Sequence, residues 1–127
     1  MKNILVVDDD PAIQALFEQF LKTKGFNPRV AVDGFDALLS MKEQVPDLIV
    51  TDIVMDGMDG LTLIREVRSQ HPDIPIIAIS GGRRTVSVNF EASSVKSGAN
   101  EFLEKPVHLD DLFRSIQSLL NECPAAE

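Results

Sequence analysis

A single cysteine, Cys123, is all the thiol that this 127-residue sequence carries. One cysteine makes no internal disulfide and no thiolate metal cage, so a reducing cytoplasmic setting is permitted. Basic residues are also scarce: 12 Lys and Arg stand against 20 Asp and Glu, a formal net charge of −8. Direct binding to nucleic acid needs a basic footprint, and this composition argues against it. Long apolar runs are missing too. The run from Ile4 to Val7 is too short for a signal peptide or a membrane span. No repeat, linker or low-complexity stretch interrupts the chain. Gly81-Gly82 makes neither a dinucleotide-binding pattern nor a P-loop. What remains has the length of one domain, with 44% hydrophobic and 25% charged residues, as in soluble globular proteins. The acidic excess alone signals solubility; it becomes a cation site only where the acids cluster.

Apolar runs of strand length alternate with segments of helical period. Ile4-Leu5-Val6-Val7 reads as a strand buried on both faces. Asp10 then stands at an N-cap position with Pro11 at the first helical position. Ile13, Leu16, Phe17, Phe20 and Leu21 share one helix face, and Gly25 can close that helix. Pro28 to Val32 is a second strand. Asp33 caps a helix carrying Ala37, Leu38 and Met41, which stops before Val45-Pro46. Leu48 to Val50 is a third strand ending at Thr51-Asp52. After a loop from Val54 to Gly60, the residues Leu61, Ile64 and Val67 form the next stripe. Ile76 to Ile79 is a fourth strand ending at Ser80. The segment from Val86 to Ser97 is the weakest helix, with Phe90 and Val95 able to face inward and Gly98 as its end. Glu101 to Glu104 is a fifth strand. Leu109, Leu112, Phe113, Ile116, Leu119 and Leu120 define the last helix, and residues 123–127 read as a frayed tail after a domain of residues 1–122. Five βα units in succession predict an α/β fold, an open doubly wound parallel sheet with helices on both faces.

In such sheets, sites form at the carboxyl ends of the strands. The first strand delivers Asp8, Asp9 and Asp10 there, the third Asp52, the fourth Ser80, and the fifth Lys105 followed by Pro106. Carboxylates from neighbouring strands repel unless a cation lies between them, and an oxygen-rich site that also handles phosphate suits Mg2+. A hydroxyl and an ammonium can hold the remaining phosphoryl oxygens, leaving one carboxylate as nucleophile. Each piece also has a plainer reading. Asp8 to Asp10 can be a solvated turn with a helix cap, Asp52 and Ser80 can be ordinary strand-end and turn residues, and Lys105 can be a solvated charge. Their joint appearance at successive strand ends favours the site. His71 and His108 stand apart from the acids and read as structural.

The stretches Ile4 to Asp10, Leu48 to Met55, Met58-Asp59-Gly60, Ile76 to Ser80, Gly98-Ala99 and Phe102 to Pro106, in this order and spacing, resemble the receiver domains of two-component response regulators. The resemblance spans Lys2 to about Leu120. It implies a flavodoxin-like five-stranded sheet of order 2-1-3-4-5. It also implies a phosphorylation-dependent signalling switch with Asp52 as phosphoacceptor. Asp9 corresponds to the direct Mg2+ ligand and Asp8 to its acidic neighbour, with Asp52 and the backbone carbonyl of Val54 completing the metal's protein ligands. Ser80 and Lys105 correspond to the residues that stabilise the phosphoryl group, and Phe102 to the aromatic switch residue. Pro106 follows a peptide that is commonly cis in the family. The implied partner is a sensor histidine kinase or a histidine phosphotransfer protein, with Mg2+ as cofactor. The chain would then be a cytoplasmic phosphoacceptor that catalyses its own phosphoryl transfer and autodephosphorylation, not an enzyme on other substrates. It would be a monomer or a weak phosphorylation-dependent dimer, either a stand-alone receiver or a fragment.

The sequence departs from the family at several points. Asp56 stands where Pro is frequent, and Val54, Gly81 and Gly82 replace polar or alanine residues. The stretch from Ser80 to Gly98 is longer than usual by about one helical turn, with Arg83 and Arg84 inside it. Two other functions compete. A Mg2+-dependent aspartate-nucleophile phosphatase would need Thr or Val after its paired Asp motif, whereas Asp10 is followed by Pro11. A flavin-binding module would need an anion loop after the first strand, where three aspartates stand instead.

Overall fold

The computed structural model describes residues 2–55, 58–80 and 95–121. A five-stranded parallel sheet runs through it in the order β2-β1-β3-β4-β5. Its strands are β1 (Asn3–Val7), β2 (Asn27–Ala31), β3 (Leu48–Asp52), β4 (Ile76–Ser80) and β5 (Glu101–Glu104). The helices are α1 (Pro11–Thr23), α2 (Gly34–Glu43), α3 (Gly60–Gln70) and α4 (Leu109–Asn121). None of these helices is long and apolar enough to cross a membrane.

The alternation along the central strands builds two cores. Ile4, Val6, Leu48, Val50, Ile77 and Ile79 turn to one face, under Phe17 and Leu21 of α1 and Leu112 and Ile116 of α4. Leu5, Val7, Ile49 and Ala78 turn to the other, under Ala37 and Met41 of α2 and Leu63, Ile64 and Val67 of α3. A side chain of this kind, once fully buried, contributes on the order of 1.5–3 kcal/mol, so β1, β3 and β4 are held from both sides.

Aspartates start the first three helices. The side chains of Asp10, Asp33 and Asp59 accept from the backbone N–H groups of Ala12, Asp36 and Thr62 at 2.9, 2.8 and 2.8 Å. Each cap satisfies a donor that the first helical turn leaves open. All three caps follow a strand's carboxyl end, so the loops that carry chemistry are tied to helix starts.

Several details differ from the sequence reading. The second strand is Asn27–Ala31; Val32 lies outside it because its N–H is taken by the Asp36 carboxylate at 3.0 Å. Pro28 is accommodated because β2 is an edge strand. Leu16 is 46% exposed and Val95 55% exposed, so neither is a core residue. Leu63, absent from the expected stripe, is fully buried, whereas Leu61 packs at the margin. Of the weak segment before β5, residues 95–97 are helical, and Gly98, at a φ of +124°, follows them. Asp56, Gly81 to Arg84, Phe90 and the tail with Cys123 lie outside the described residues.

Candidate functional site

Parallel pairing brings the ends of β1 and β3 side by side, with Val7 opposite Thr51. Asp8 and Asp52 therefore meet. Asp8 is 2% exposed and Asp52 5%, while Asp9 faces solvent. Carboxylate oxygens of Asp8, Asp9 and Asp52 lie within 4.8 Å of one another. The donor set is all oxygen and carries three charges, which fits a hard dication such as Mg2+ better than a softer metal.

Local bonds fix Asp8 and Asp52. The N–H of Asp8 donates to the Ala31 carbonyl at 3.1 Å, and its carboxylate accepts the N–H of Asp10 at 2.9 Å. The side-chain amide of Gln14 donates to the Asp8 carbonyl. The Asp52 carboxylate accepts the N–H of Val54 at 3.3 Å, and its carbonyl accepts the Thr51 hydroxyl at 2.9 Å. Val54 itself is 58% exposed at the mouth of the site.

Lys105 enters from beyond β5. Its N–H donates to the Ser80 carbonyl at 2.8 Å, and its ammonium lies 3.0 Å from Asp52 and 3.3 Å from Asp8. The peptide between Lys105 and Pro106 is cis. Burial alone would lower the Lys105 pKa, but the hydrogen bond and charge of Asp52, then those of Asp8, outweigh it and hold the pKa above the ordinary value. Burial raises the Asp8 carboxyl above its usual range, and the charge of Asp52 adds to this. The Asp10 N–H and the Lys105 charge offset the rise only in part. Among the described residues, one ammonium thus answers two buried carboxylates.

Ser80 ends β4, 3% exposed, one residue beyond the partner of Asp52 in the β3–β4 register. Phe102 sits inside β5 opposite Ala78 and packs, partly buried, against the α2–α3 core; it is not part of the acid cluster. Both histidines lie elsewhere. His71 is the C-cap of α3, and His108 is exposed where α4 begins, its carbonyl accepting from Asp111 and Leu112 at 3.0 and 3.1 Å.

Two residues with structural roles, one beside the site and one at the far end of the sheet, carried little signal of their own in the sequence. Gly60 packs its backbone against the end of β3. The Arg68 guanidinium donates to the carbonyls of His71, Pro72, Ile74 and Gly98 and to the Asn100 side chain. It thereby ties the end of α3 to the start of β5. Only the spacing of Met58-Asp59-Gly60 hinted at the first; nothing local hinted at the second, whose partners include residues 30 and 32 positions away.

The family model for the response regulator receiver domain matches residues 4–117. The transcriptional regulatory protein PrrA of Mycobacterium tuberculosis is 37% identical over 118 residues, 93% of this chain and 49% of that protein. The nitrogen assimilation regulatory protein NtrX of Azorhizobium caulinodans is 36% identical over 87% of this chain and 24% of that protein. The chain spans about half the length of PrrA and less of NtrX. Among solved structures, the receiver domain of NtrX from Brucella abortus superimposes with a TM-score of 0.85 at 35% identity, covering 95% of this chain and 99% of that one. A CheY-like receiver domain protein from Methanospirillum hungatei gives 0.88 at 29% identity, with 96% and 95% covered.

Proposed function

The chain belongs to the response regulator receiver domain family of two-component systems, and on that premise we propose that it is a phosphorylation switch whose phosphoacceptor is Asp52. The observation that carries this reading is the place of the Asp52 carboxylate. It lies at the end of a central strand, buried, 3.0 Å from an ammonium and within 4.8 Å of two further carboxylates. In this reading an Asp52 oxygen attacks the phosphorus of a phosphohistidine. The phosphorus–nitrogen bond breaks, its electron pair stays on the imidazole nitrogen, and that nitrogen is protonated from solvent. Asp8, Asp9, Asp52 and the Val54 carbonyl hold Mg2+, which when bound supplies counter-charge to the acids and to the phosphoryl oxygens. Lys105 already stands between Asp8 and Asp52 and can pair with a phosphoryl oxygen, with the Ser80 hydroxyl as a second donor.

The donor in this reading is a histidine kinase or a histidine phosphotransfer protein in the cytoplasm. A groove of about 460 Å³ beside the acids, lined by Ile13, Leu16, Phe17, Lys105, Pro106 and Val107, supports it. The groove is largely apolar and shares Lys105 with the site, features that suit an apolar helix face presenting the histidine. Output follows from Ser80 moving toward the phosphoryl group and Phe102, half-covered behind it, turning further inward. Full burial of a Phe contributes about 1.5–3 kcal/mol, enough to shift a population whose two states lie within a few kcal/mol. The test is incubation with Mg2+ and acetyl phosphate, read by intact mass. One added phosphoryl group is expected on the wild type and none on Asp52→Asn or Asp52→Ala; full labelling of Asp52→Ala refutes the assignment.

A further inference from the structure

Met58-Asp59-Gly60 is the family-like stretch to which the proposed chemistry gives no task. Gly60 opens α3, and its N–H donates to the Ile53 carbonyl at 2.8 Å, one residue past Asp52. A Cβ at position 60 would overlap the Asp52 carbonyl oxygen and lie 2.6 Å from the Ile53 Cα and 2.9 Å from the Asp52 carbonyl carbon. All three atoms are backbone, so no rotamer change relieves the overlap. The helix start cannot easily yield either, because Asp59 caps it through the Thr62 N–H at 2.8 Å.

Gly34 leans on the same loop: a Cβ there would meet the Met58 side chain, with Sδ at 2.7 Å and Cβ and Cγ at 2.9 Å, and the Cβ moves only with its own backbone. Gly98 sets the contrast. A Cβ at Gly98 would meet the Arg68 side chain from 3.1 Å. Gly98 precedes β5, at the end of the parallel sheet away from Asp52.

We infer that Gly60 is a positioning residue for Asp52. Its missing side chain lets the first turn of α3 act as a backstop that sets where the carboxylate of Asp52 stands. Asp8, Asp9 and Lys105 are carried by other strands, so a shift at the end of β3 changes distances within the site instead of moving the site as a whole. Mg2+ demands near-ideal octahedral placement of its ligands, which makes the site sensitive to such a shift. The inference rests on the reading of Asp52 as phosphoacceptor and metal ligand.

The test compares wild type, Gly60→Ala, Gly98→Ala and Asp52→Asn. Mg2+ affinity is read by titration calorimetry, bound beryllofluoride by fluorine NMR, and melting by circular dichroism. Gly60→Ala is expected to weaken Mg2+ binding about tenfold or more, the scale typical of groups that hold a metal's ligands in place, and to move the bound fluorine signals. Gly98→Ala is expected to melt earlier yet keep wild-type affinity. A folded Gly60→Ala with wild-type affinity and fluorine shifts overturns the inference and leaves the phosphoacceptor reading standing. A wild type that takes neither Mg2+ nor beryllofluoride, or an Asp52→Asn that binds beryllofluoride as well as wild type, overturns both. Should Gly60→Ala fail to fold, the wild type decides. A contact that sets the affinity of a site is strengthened in return when the site fills. Exchange of the Gly60 amide should then slow on adding Mg2+ and beryllofluoride, relative to the Gly98 amide, which donates to the Val95 carbonyl at 3.0 Å. Equal behaviour of the two amides refutes the inference.

Discussion

Replacing Asp8 by Asn is expected to make the metal-free protein more stable. The Asp8 carboxylate attracts the Lys105 ammonium across 3.3 Å, worth about 5 kcal/mol at an effective dielectric constant of about 20. It also repels Asp52 across no more than 4.8 Å, which costs about 3.5 kcal/mol or more by the same rule. The balance is at most about 1.5 kcal/mol in favour of the charge. Against it stands the cost of taking a carboxylate out of water, several kcal/mol for a buried ion, and Asp8 is 2% exposed. The raised Asp8 pKa, caused first by burial, has the same sign. Asn keeps an oxygen for the Asp10 N–H, now bonded at 2.9 Å, and leaves Lys105 with Asp52. The expected gain is on the order of 1 kcal/mol, a rise of about 3–5 °C in Tm for a domain of this size. The pH dependence follows from the raised pKa. Folded Asp8 binds its proton more tightly than unfolded Asp8, so the stability it confers is lost as pH rises through its folded pKa. The advantage of Asn should therefore grow as pH rises through the folded Asp8 pKa and vanish below the ordinary value of 3.8. Mg2+ should reverse the order, since saturation at about 100 times Kd adds about 2.7 kcal/mol to whichever protein binds it. The chain has no Trp or Tyr, so the melts are followed by far-UV circular dichroism in chelator and in Mg2+. An Asp8→Asn protein that melts at or below wild type in chelator at neutral pH refutes the reasoning.

Arg68→Met should cost about 2–4 kcal/mol, because it strips the carbonyls of His71, Pro72, Ile74 and Gly98 of a charged donor together. Arg68→Lys should recover little of this, since an ammonium lacks the planar fork; urea unfolding within about 1 kcal/mol of wild type for Arg68→Met would show the clamp to be idle. At Val54, 58% exposed and bonded through its N–H to Asp52, Asn should orient attacking water and speed loss of the phosphoryl group. An unchanged or slower decay of the isolated phosphoprotein would place control of the lifetime elsewhere.

The acids, the hydroxyl and the lysine were legible because a parallel sheet turns residues far apart in sequence into neighbours at one edge. Asp8, Asp52, Ser80 and Lys105 each follow an apolar strand, and the register of β1, β3, β4 and β5 brings those strand ends together. The caps were partly legible for the same local reason. Asp10 and Asp33 announce their helices, whereas the Asp59 cap is hidden in a loop of several aspartates and glycines. Periodicity failed where faces are shared. Leu16 falls on the apolar side of α1 by spacing but overhangs the groove at Pro106, and Leu63 and Ile64 are both buried because α3 presents a broad face to the sheet. The second strand ends one residue early because Asp36, four residues on in the first turn of α2, claims the Val32 N–H. Gly60 and Arg68 form a different class. Apart from the Asn100 side chain, their partners are backbone carbonyls and Cα atoms, which every residue has, so side-chain types mark them poorly. The chemistry of such a site is written in which side chains stand at the strand ends. Its tolerance is set by how closely the backbone behind those side chains is packed, and that part becomes visible only once the helix starts and strand ends are placed in space.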